Sequence, residues 1–182
     1  YNILSDSFGI NCLKIETDDK ERYIVKYYYK KEGRFNAIRS EADNILFLNS
    51  HKFNFFPKII NNNNKFLIMS FIDNNNNLPI RTNDDLLGAI ISIHSKRSNN
   101  YGFNFDTQIG GLKQSNSNSS NWVEFYGDKR LHYIFDLINK NQPMDKAINT
   151  KIELLLKKIN NFIPNKPKPS LLHGDLWEGN IL

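Results

Sequence analysis

Two pairs of residues in this chain are of the right type and spacing to do chemistry together. His173-Gly174-Asp175 is followed by Asn180, five residues after the aspartate. An aspartate on a tight glycine-containing loop with an asparagine a short way on suits phosphoryl transfer. The carboxylate accepts or orients the proton of an attacking hydroxyl, and the amide oxygen holds a magnesium ion on nucleotide phosphates. Taken alone, the spacing equally fits a surface turn whose Asp and Asn satisfy backbone groups. The second pair is Lys26 and Glu41. Lys26 interrupts the apolar run Tyr23 to Tyr29, where an ammonium needs a carboxylate or an anion beside it. Glu41 stands three residues after Ile38 and four before Ile45, on the apolar side of a helical pattern. A strand lysine paired with a carboxylate on the next helix is the arrangement that fixes a lysine on the α- and β-phosphates of ATP. Two solvated charges at element edges would give the same letters, but the company of Asp175 and Asn180 favours the nucleotide.

Other candidates are weaker. Ser5-Asp6-Ser7-Phe8-Gly9-Ile10-Asn11, with Ser7 and Gly9 at its centre, could cover phosphates with backbone N–H groups, yet it matches neither GxGxxG nor GxxxxGK[ST] and also fits a plain turn. Leu67 to Ile72 is an apolar strand, and its end, Met69-Ser70-Phe71, could form a hinge against adenine. His94 lies on an apolar helix face and suits a structural role, and His51 and His132 have no metal-ligand spacing. There is no GxSxG elbow, and Cys12 sits in a strand-like run with no histidine close in sequence, which argues against a nucleophilic triad. Trp177, inside the Asp175 loop, could stack on a sugar or amine.

These residues need elements to hold them. Cys12 to Ile15 and Tyr23 to Tyr29, separated by Asp18-Asp19-Lys20, predict a hairpin. Arg34 to Leu48 predicts a helix with Phe35, Ile38, Ala42, Ile45 and Leu46 on one face. Strands are expected around Pro57 to Ile60 and Lys65 to Ile72, then a helix over Asp84 to Lys96, capped by Asn83 or Asp84, with Leu87, Ile90, Ile91 and His94 on its apolar face. Tyr101 to Ser120 reads as mostly loop, followed by helices over Asn121 to Asn139 and Asp145 to Ile163. The stripe of the last is Ile148, Ile152, Leu155, Leu156, Ile159 and Phe162. A boundary near Asp73 to Asn77 would divide residues 1–73, a sheet-rich nucleotide-binding lobe, from residues 74–182, a helical one.

Composition sets the frame. At 182 residues and 21.3 kDa the chain suits one domain or two small lobes. Asparagine makes up roughly 15% of it and comes in runs, Asn61 to Asn64 and Asn74 to Asn77, which read as polar loop insertions. No stretch approaches the ~20 apolar residues of a membrane span, and the start lacks a signal peptide's pattern, so a soluble, cytoplasmic protein is expected. Cys12 is the single cysteine, which excludes an internal disulfide and Cys-based zinc spacing. Net charge is +5 and the pI about 9.2, but the lysines are scattered among acidic residues without a basic stripe, so no nucleic-acid partner is expected.

The stretch Leu172-His173-Gly174-Asp175-Leu176-Trp177-Glu178-Gly179-Asn180 resembles the LHGDLWxGN of the fructosamine kinase family, the ketosamine 3-kinases. Tyr101-Gly102-Phe103, Asp106, Ile109-Gly110, Gln114, Asn116, Trp122, Phe125 and Arg130-Leu131 follow that family's order as well. The resemblance runs from about Phe8 to the last residue. It implies an α+β, bilobal protein-kinase-like fold, shared with aminoglycoside phosphotransferases and choline kinases, with a sheet-rich N-terminal lobe and a helical C-terminal one. It implies ATP- and Mg2+-dependent phosphorylation of the 3-hydroxyl of ketoamines, on small amines or glycated protein lysines, after which the adduct falls apart. Asp175 would be the base, Asn180 a magnesium ligand, Lys26 the phosphate lysine and Glu41 its partner. Ser7 and Gly9 would lie over the phosphates, Met69, Ser70 and Phe71 would meet adenine, and Trp177 and His173 would face the substrate. Ser70 stands where the family commonly has an acidic hinge residue. The family's second magnesium-binding Asp would lie beyond Leu182, so the chain is expected to be truncated at its C-terminal end and inactive by itself, from a protein expected to be a monomer. A kinase of the aminoglycoside or choline type, or a non-catalytic kinase-like ATP-binding module, is the alternative.

Overall fold

Short runs of β-branched and aromatic residues build the first part of the molecule. The computed structural model describes residues 1–30, 35–73, 82–176 and 180–181. Strands β1 (Asn2–Ser7), β2 (Ile10–Glu16), β3 (Arg22–Tyr28), β4 (Ile59–Asn62) and β5 (Phe66–Ser70) form an antiparallel sheet in the order β1-β2-β3-β5-β4. Helix α1 (Ala37–Ser50) starts at Asn36, whose side-chain oxygen accepts the Arg39 N–H at 2.9 Å. Ile38, Ala42 and Ile45 of α1 pack with Leu67 and Met69 of β5 to form the core of this part. That periodicity is why the helix forms here: one apolar residue per turn meets the sheet.

Helix α2 (Thr82–His94) follows, then a two-stranded hairpin of β6 (Thr107–Ile109) and β7 (Leu112–Gln114). Helix α3 (Trp122–Tyr126), capped by Asn121, runs through a wider π-type turn at Gly127–His132 into α4 (Tyr133–Asn141). Helix α5 (Lys146–Lys157) is capped by Asp145, whose carboxylate accepts the Ala147 N–H at 2.8 Å. By contact the chain divides into two units. The first is Tyr1–Ala89 with Thr107–Lys113 and Gly174–Leu182, and the second is Ile90–Asp106 with Gln114–His173. Among the described residues, no helix is long and apolar enough to cross a membrane.

The structure departs from the sequence expectations at several elements. Strand β1 precedes the expected hairpin and takes in Ser5 to Ser7; it is an edge strand exposed at every residue, so it carries no burial pattern to read. Strand β4 is shifted into the first asparagine run, with Asn61 and Asn62 in the strand, while Asn63 closes the turn by accepting the Lys65 and Phe66 N–H groups. On α1, Leu46 is exposed and Ser40 takes a buried position. On α2, Thr82 already lies in the helix, so Asn83 and Asp84 are not its caps, and Ile93 is buried while Leu87 and Ile91 face water. On α5, Leu156 is buried, whereas Ile148 and Leu155 are exposed, as is Phe162 beyond the helix. Tyr101 to Ser120, expected to be mostly loop, is mostly loop and also carries the short β6–β7 hairpin. Residues 74–77, the second asparagine run and the expected boundary, lie outside the described residues.

Leu67 is completely buried, and Leu67→Ala should destabilise the full-length protein by about 3 kcal/mol through lost burial and the cavity left behind. Ile60→Ala, at a side chain 56% exposed on the neighbouring strand, should cost less than about 0.5 kcal/mol. Urea unfolding midpoints of the two variants measure the contrast, and equal losses would contradict this account of the core.

Candidate active site

Register places Lys26 at the middle of the sheet. It stands opposite Cys12 on β2 and Leu67 on β5, with strands on both sides holding its backbone. Glu41 is carried by α1, one residue before Ala42 of the buried face. The Lys26 Nζ donates to Glu41 Oε1 at 2.6 Å, and the two side chains are 27% and 30% exposed. The pair expected from sequence is therefore formed, half-sheltered, between a strand and the helix packed on it. Cys12 reports on it. Burial pushes its thiol pKa above the ordinary value, Lys26 pulls it down and Glu41 pushes it up again.

The β1–β2 turn lies at the end of the same sheet. Ser7 closes β1, opposite Ile10, and the turn is Phe8-Gly9, both in the left-handed region at φ +52 and +72. Gly9 is buried, and its carbonyl accepts the Tyr29 and Lys30 N–H groups at 3.1 and 3.2 Å.

At the expected hinge, Met69 is buried between Ile24 and Ile59. The Ser70 N–H donates to the Lys58 carbonyl at 2.8 Å, and its Oγ accepts the Lys58 N–H at 2.9 Å. The Phe71 N–H donates to the Arg22 carbonyl at 3.2 Å. Two residues that sequence reading passed over brace this segment. Lys14 Nζ stands 4.0 Å and the Arg22 guanidinium 5.0 Å from the Phe71 ring centre, and Arg22 also bonds the Asp73 carboxylate at 2.9 Å. No spacing in the sequence signals this, because strand register is what gathers these residues.

Upstream of Asp175 the chain is tied down within the second unit. Leu171 N–H donates to the Lys96 carbonyl at 2.9 Å, and Ser170 bridges Arg97. Gly174 then turns the chain at φ +85, a conformation that strains any residue with a Cβ. Asn180 closes the loop: its Nδ2 donates to the Asp175 carbonyl at 2.7 Å and to Asp175 Oδ2 at 3.0 Å. Both side chains are exposed. His173 has its Nδ1 buried, with no hydrogen-bond partner among the described residues. Trp177 lies outside the described residues. The structure thus brings Lys26 to Glu41 and Asp175 to Asn180, with both pairs in the first unit. Among the described residues, no group of three or more His, Cys, Asp or Glu is arranged for a metal.

Cys12 is the single cysteine of these 182 residues, and its alkylation rate against pH, followed on the peptide that carries it, reads the Lys26–Glu41 pair. The midpoint should lie above that of an ordinary thiol. Glu41→Gln should move it down, since Lys26 is then unopposed, and Lys26→Met should move it up. Unchanged midpoints in both variants would mean that the three groups do not share a site.

With this geometry in place, comparison with known proteins is informative. The sequence profile of the family described as fructosamine kinase matches residues 9–182. A chloroplastic protein-ribulosamine 3-kinase of Arabidopsis thaliana is 41% identical over 120 residues, 64% of this chain and 36% of that protein. The ketosamine-3-kinase of Mus musculus is 38% identical over 81 residues, 44% of this chain and 26% of that protein. The crystal structure of a candidate fructosamine-3-kinase from Thermobifida fusca matches with a TM-score of 0.82 at 21% identity, over 98% of this chain and 62% of that one, a likeness of fold. The α+β kinase-like fold expected from sequence is thus the fold observed, with sheet-rich N-terminal and helical C-terminal parts. The matches span less than two thirds of the length of each of these relatives. The profile match covers nearly the whole sequence, and the chain belongs to the fructosamine kinase family.

Proposed function

We propose that the protein is an ATP-dependent kinase that phosphorylates the 3-hydroxyl of ketosamines, the fructosamine or ribulosamine adducts of small amines or protein lysines. It would act in the cytoplasm as a monomer, in the repair of glycated protein or the use of glycated amines. The 2.6 Å ion pair of Lys26 and Glu41, in the same unit as the Asp175–Asn180 pair, is the observation that carries this reading. The names of the Arabidopsis and mouse relatives support the choice of acceptor.

Each residue then has a task. Lys26, held in place by Glu41, binds the α- and β-phosphates of ATP, and the Phe8-Gly9 turn with Ser7 covers them. Adenine lies against Met69 to Phe71. The N–H groups of Ser70 and Phe71 are already committed, so the base is met by carbonyls or by backbone beyond Phe71. Asp175 accepts the proton of the substrate 3-hydroxyl as its oxygen attacks the γ-phosphorus. The bond to the β-phosphate oxygen breaks, and the products are a phosphate ester, ADP and the proton on Asp175. The Asn180 bond to Oδ2 fixes how the carboxylate faces the hydroxyl. The family resemblance assigns Trp177 and His173 to the sugar. Nucleotide binding is thereby assigned to residues 1–73 and transfer to residues 74–182.

The donor set fits magnesium. The Asn180 amide nitrogen is engaged by Asp175, which leaves its amide oxygen, a hard donor, for the ion. Phosphate oxygens and water complete such a shell. When bound, the ion neutralises phosphate charge.

Transfer from ATP with magnesium to a fructosamine or ribulosamine, by the full-length protein and its Asp175→Asn variant, tests the proposal. The variant should lose about 10²- to 10⁴-fold in kcat and keep ATP binding. Wild-type transfer by the variant, or transfer by the parent protein to an aminoglycoside or choline and not to a ketoamine, would overturn it.

A further inference from the structure

The β6–β7 hairpin has no part in the function described so far, yet it touches two of the elements that serve the nucleotide. It comes after α2 in sequence but belongs by contact to the first unit. Strand β6 runs beside α1, the helix that carries Glu41. Its tip, Gly110-Gly111, turns with both residues left-handed, at φ +54 and +80, and the Gln108 Oε1 secures it by accepting the Gly111 N–H at 2.8 Å. That tip meets Phe8 of the β1–β2 turn. A methyl group placed on Gly111 would lie 3.5 Å from Phe8 Cδ1 and 3.7 Å from Cγ.

Phe8 needs such a neighbour. It is a bulky residue at φ +52, a conformation that costs free energy unless its surroundings hold it, and it is 62% exposed, so core burial does not hold it. Gly111 offers the ring a flat, side-chain-free seat, and its own φ excludes most replacements. One hairpin thus contacts both the turn and the helix whose mutual position sets the space between the phosphate-covering backbone and the Lys26–Glu41 pair.

We propose that the β6–β7 hairpin is a clamp that holds the Phe8-Gly9 turn and helix α1 in the arrangement that receives ATP, with Phe8 and Gly111 as its positioning residues. This rests on the nucleotide-binding reading above. The ring of Phe8 transmits the clamp: removing it, or forcing a branched side chain into Gly111, frees the turn without touching a phosphate-binding side chain.

The test uses the full-length protein with Phe8→Ala, Phe8→Leu and Gly111→Val, and it has two readouts. The first is amide hydrogen exchange across residues 5–12, with residues 22–28 of β3 as the internal control. The second is the KM for ATP set against kcat and the KM for a fructosamine acceptor. In Phe8→Ala and Gly111→Val, exchange over residues 5–12 should rise about tenfold with β3 unchanged. The KM for ATP should rise about five- to tenfold in both, and in Gly111→Val kcat and the acceptor KM should stay within about twofold of wild type. Phe8→Leu, which keeps an apolar contact, should restore both. Unchanged exchange at residues 5–12 overturns the clamp, as does a rise spread equally over β3, which would mark a general loss of stability. A local rise in exchange with an unchanged KM for ATP overturns the link to the nucleotide. If wild type binds no ATP at all, the function proposed above fails, while a local rise in exchange in the variants still supports the clamp as a mechanical element.

Discussion

Ile38, Ala42 and Ile45 of α1 are withdrawn from water against Leu67 and Met69 of β5. At about 1.5–3 kcal/mol for each large side chain, this burial outweighs any single polar contact in the first unit. The Lys26–Glu41 pair, with both side chains roughly a quarter to a third exposed, is worth about 1 kcal/mol or less. The direction of dependence follows from those magnitudes. The charge pair cannot hold the helix in place; the helix, packed through one residue per turn, holds Glu41 where Lys26 can reach it. A substitution in the core and one in the pair therefore act differently. The first moves the helix and takes the pair with it, and the second leaves the helix seated and removes only the charge that orients the lysine.

The loop around Asp175 is organised by a different means, since Asp175 and Asn180 are exposed. The chain leading to it bonds through Leu171 to Lys96 and bridges Arg97 through Ser170, within the second unit. Its exit is fixed by the two hydrogen bonds that Asn180 gives to the backbone and side chain of Asp175. Between them Gly174 takes the left-handed turn. The Asp175 carboxylate is open to solvent, so its orientation comes from hydrogen bonds and backbone shape and not from burial.

What could be read from the sequence follows the same physics. Lys26 and Glu41 were legible because a charge that interrupts an apolar period needs a partner, and each pointed to the other. Ile38, Ala42 and Ile45 were legible because a helix seated on a sheet repeats its apolar residues at the helical period. Strand β1 was not, because an edge strand exposed at every residue has no alternation to read. Helical spacing puts Leu87, Ile91, Ile148 and Leu155 on apolar faces, although which flank of a broad apolar stripe is covered depends on neighbours that a local pattern does not contain. The β6–β7 hairpin was hidden twice over. Its strands are three residues each, and it is set in a stretch whose Ser and Asn content reads as loop.

The residues that follow the family's order between Tyr101 and Arg130 acquire a physical reason in the second unit. Asn116 is buried and every polar part of it is used. Its N–H donates to Asp106 Oδ1 at 2.9 Å, its Nδ2 donates to the Phe105 carbonyl at 3.0 Å, its side-chain oxygen accepts from Arg130 Nη2, and its carbonyl accepts the Phe103 N–H at 2.8 Å. Arg130 also donates to the Ser115 carbonyl at 2.8 Å and lies 5.0 Å from the ring centre of Phe125, which is buried. Burial pulls the Arg130 pKa below its ordinary value, while Tyr126 and Asp106 oppose that shift and favour the charged form. A buried polar cluster of this kind is favourable only when complete, because each missing partner leaves another group desolvated and unpaired. Such a cluster cannot be assembled one residue at a time. It has to be kept together, so letters spread over about 30 residues behave as a single structural unit.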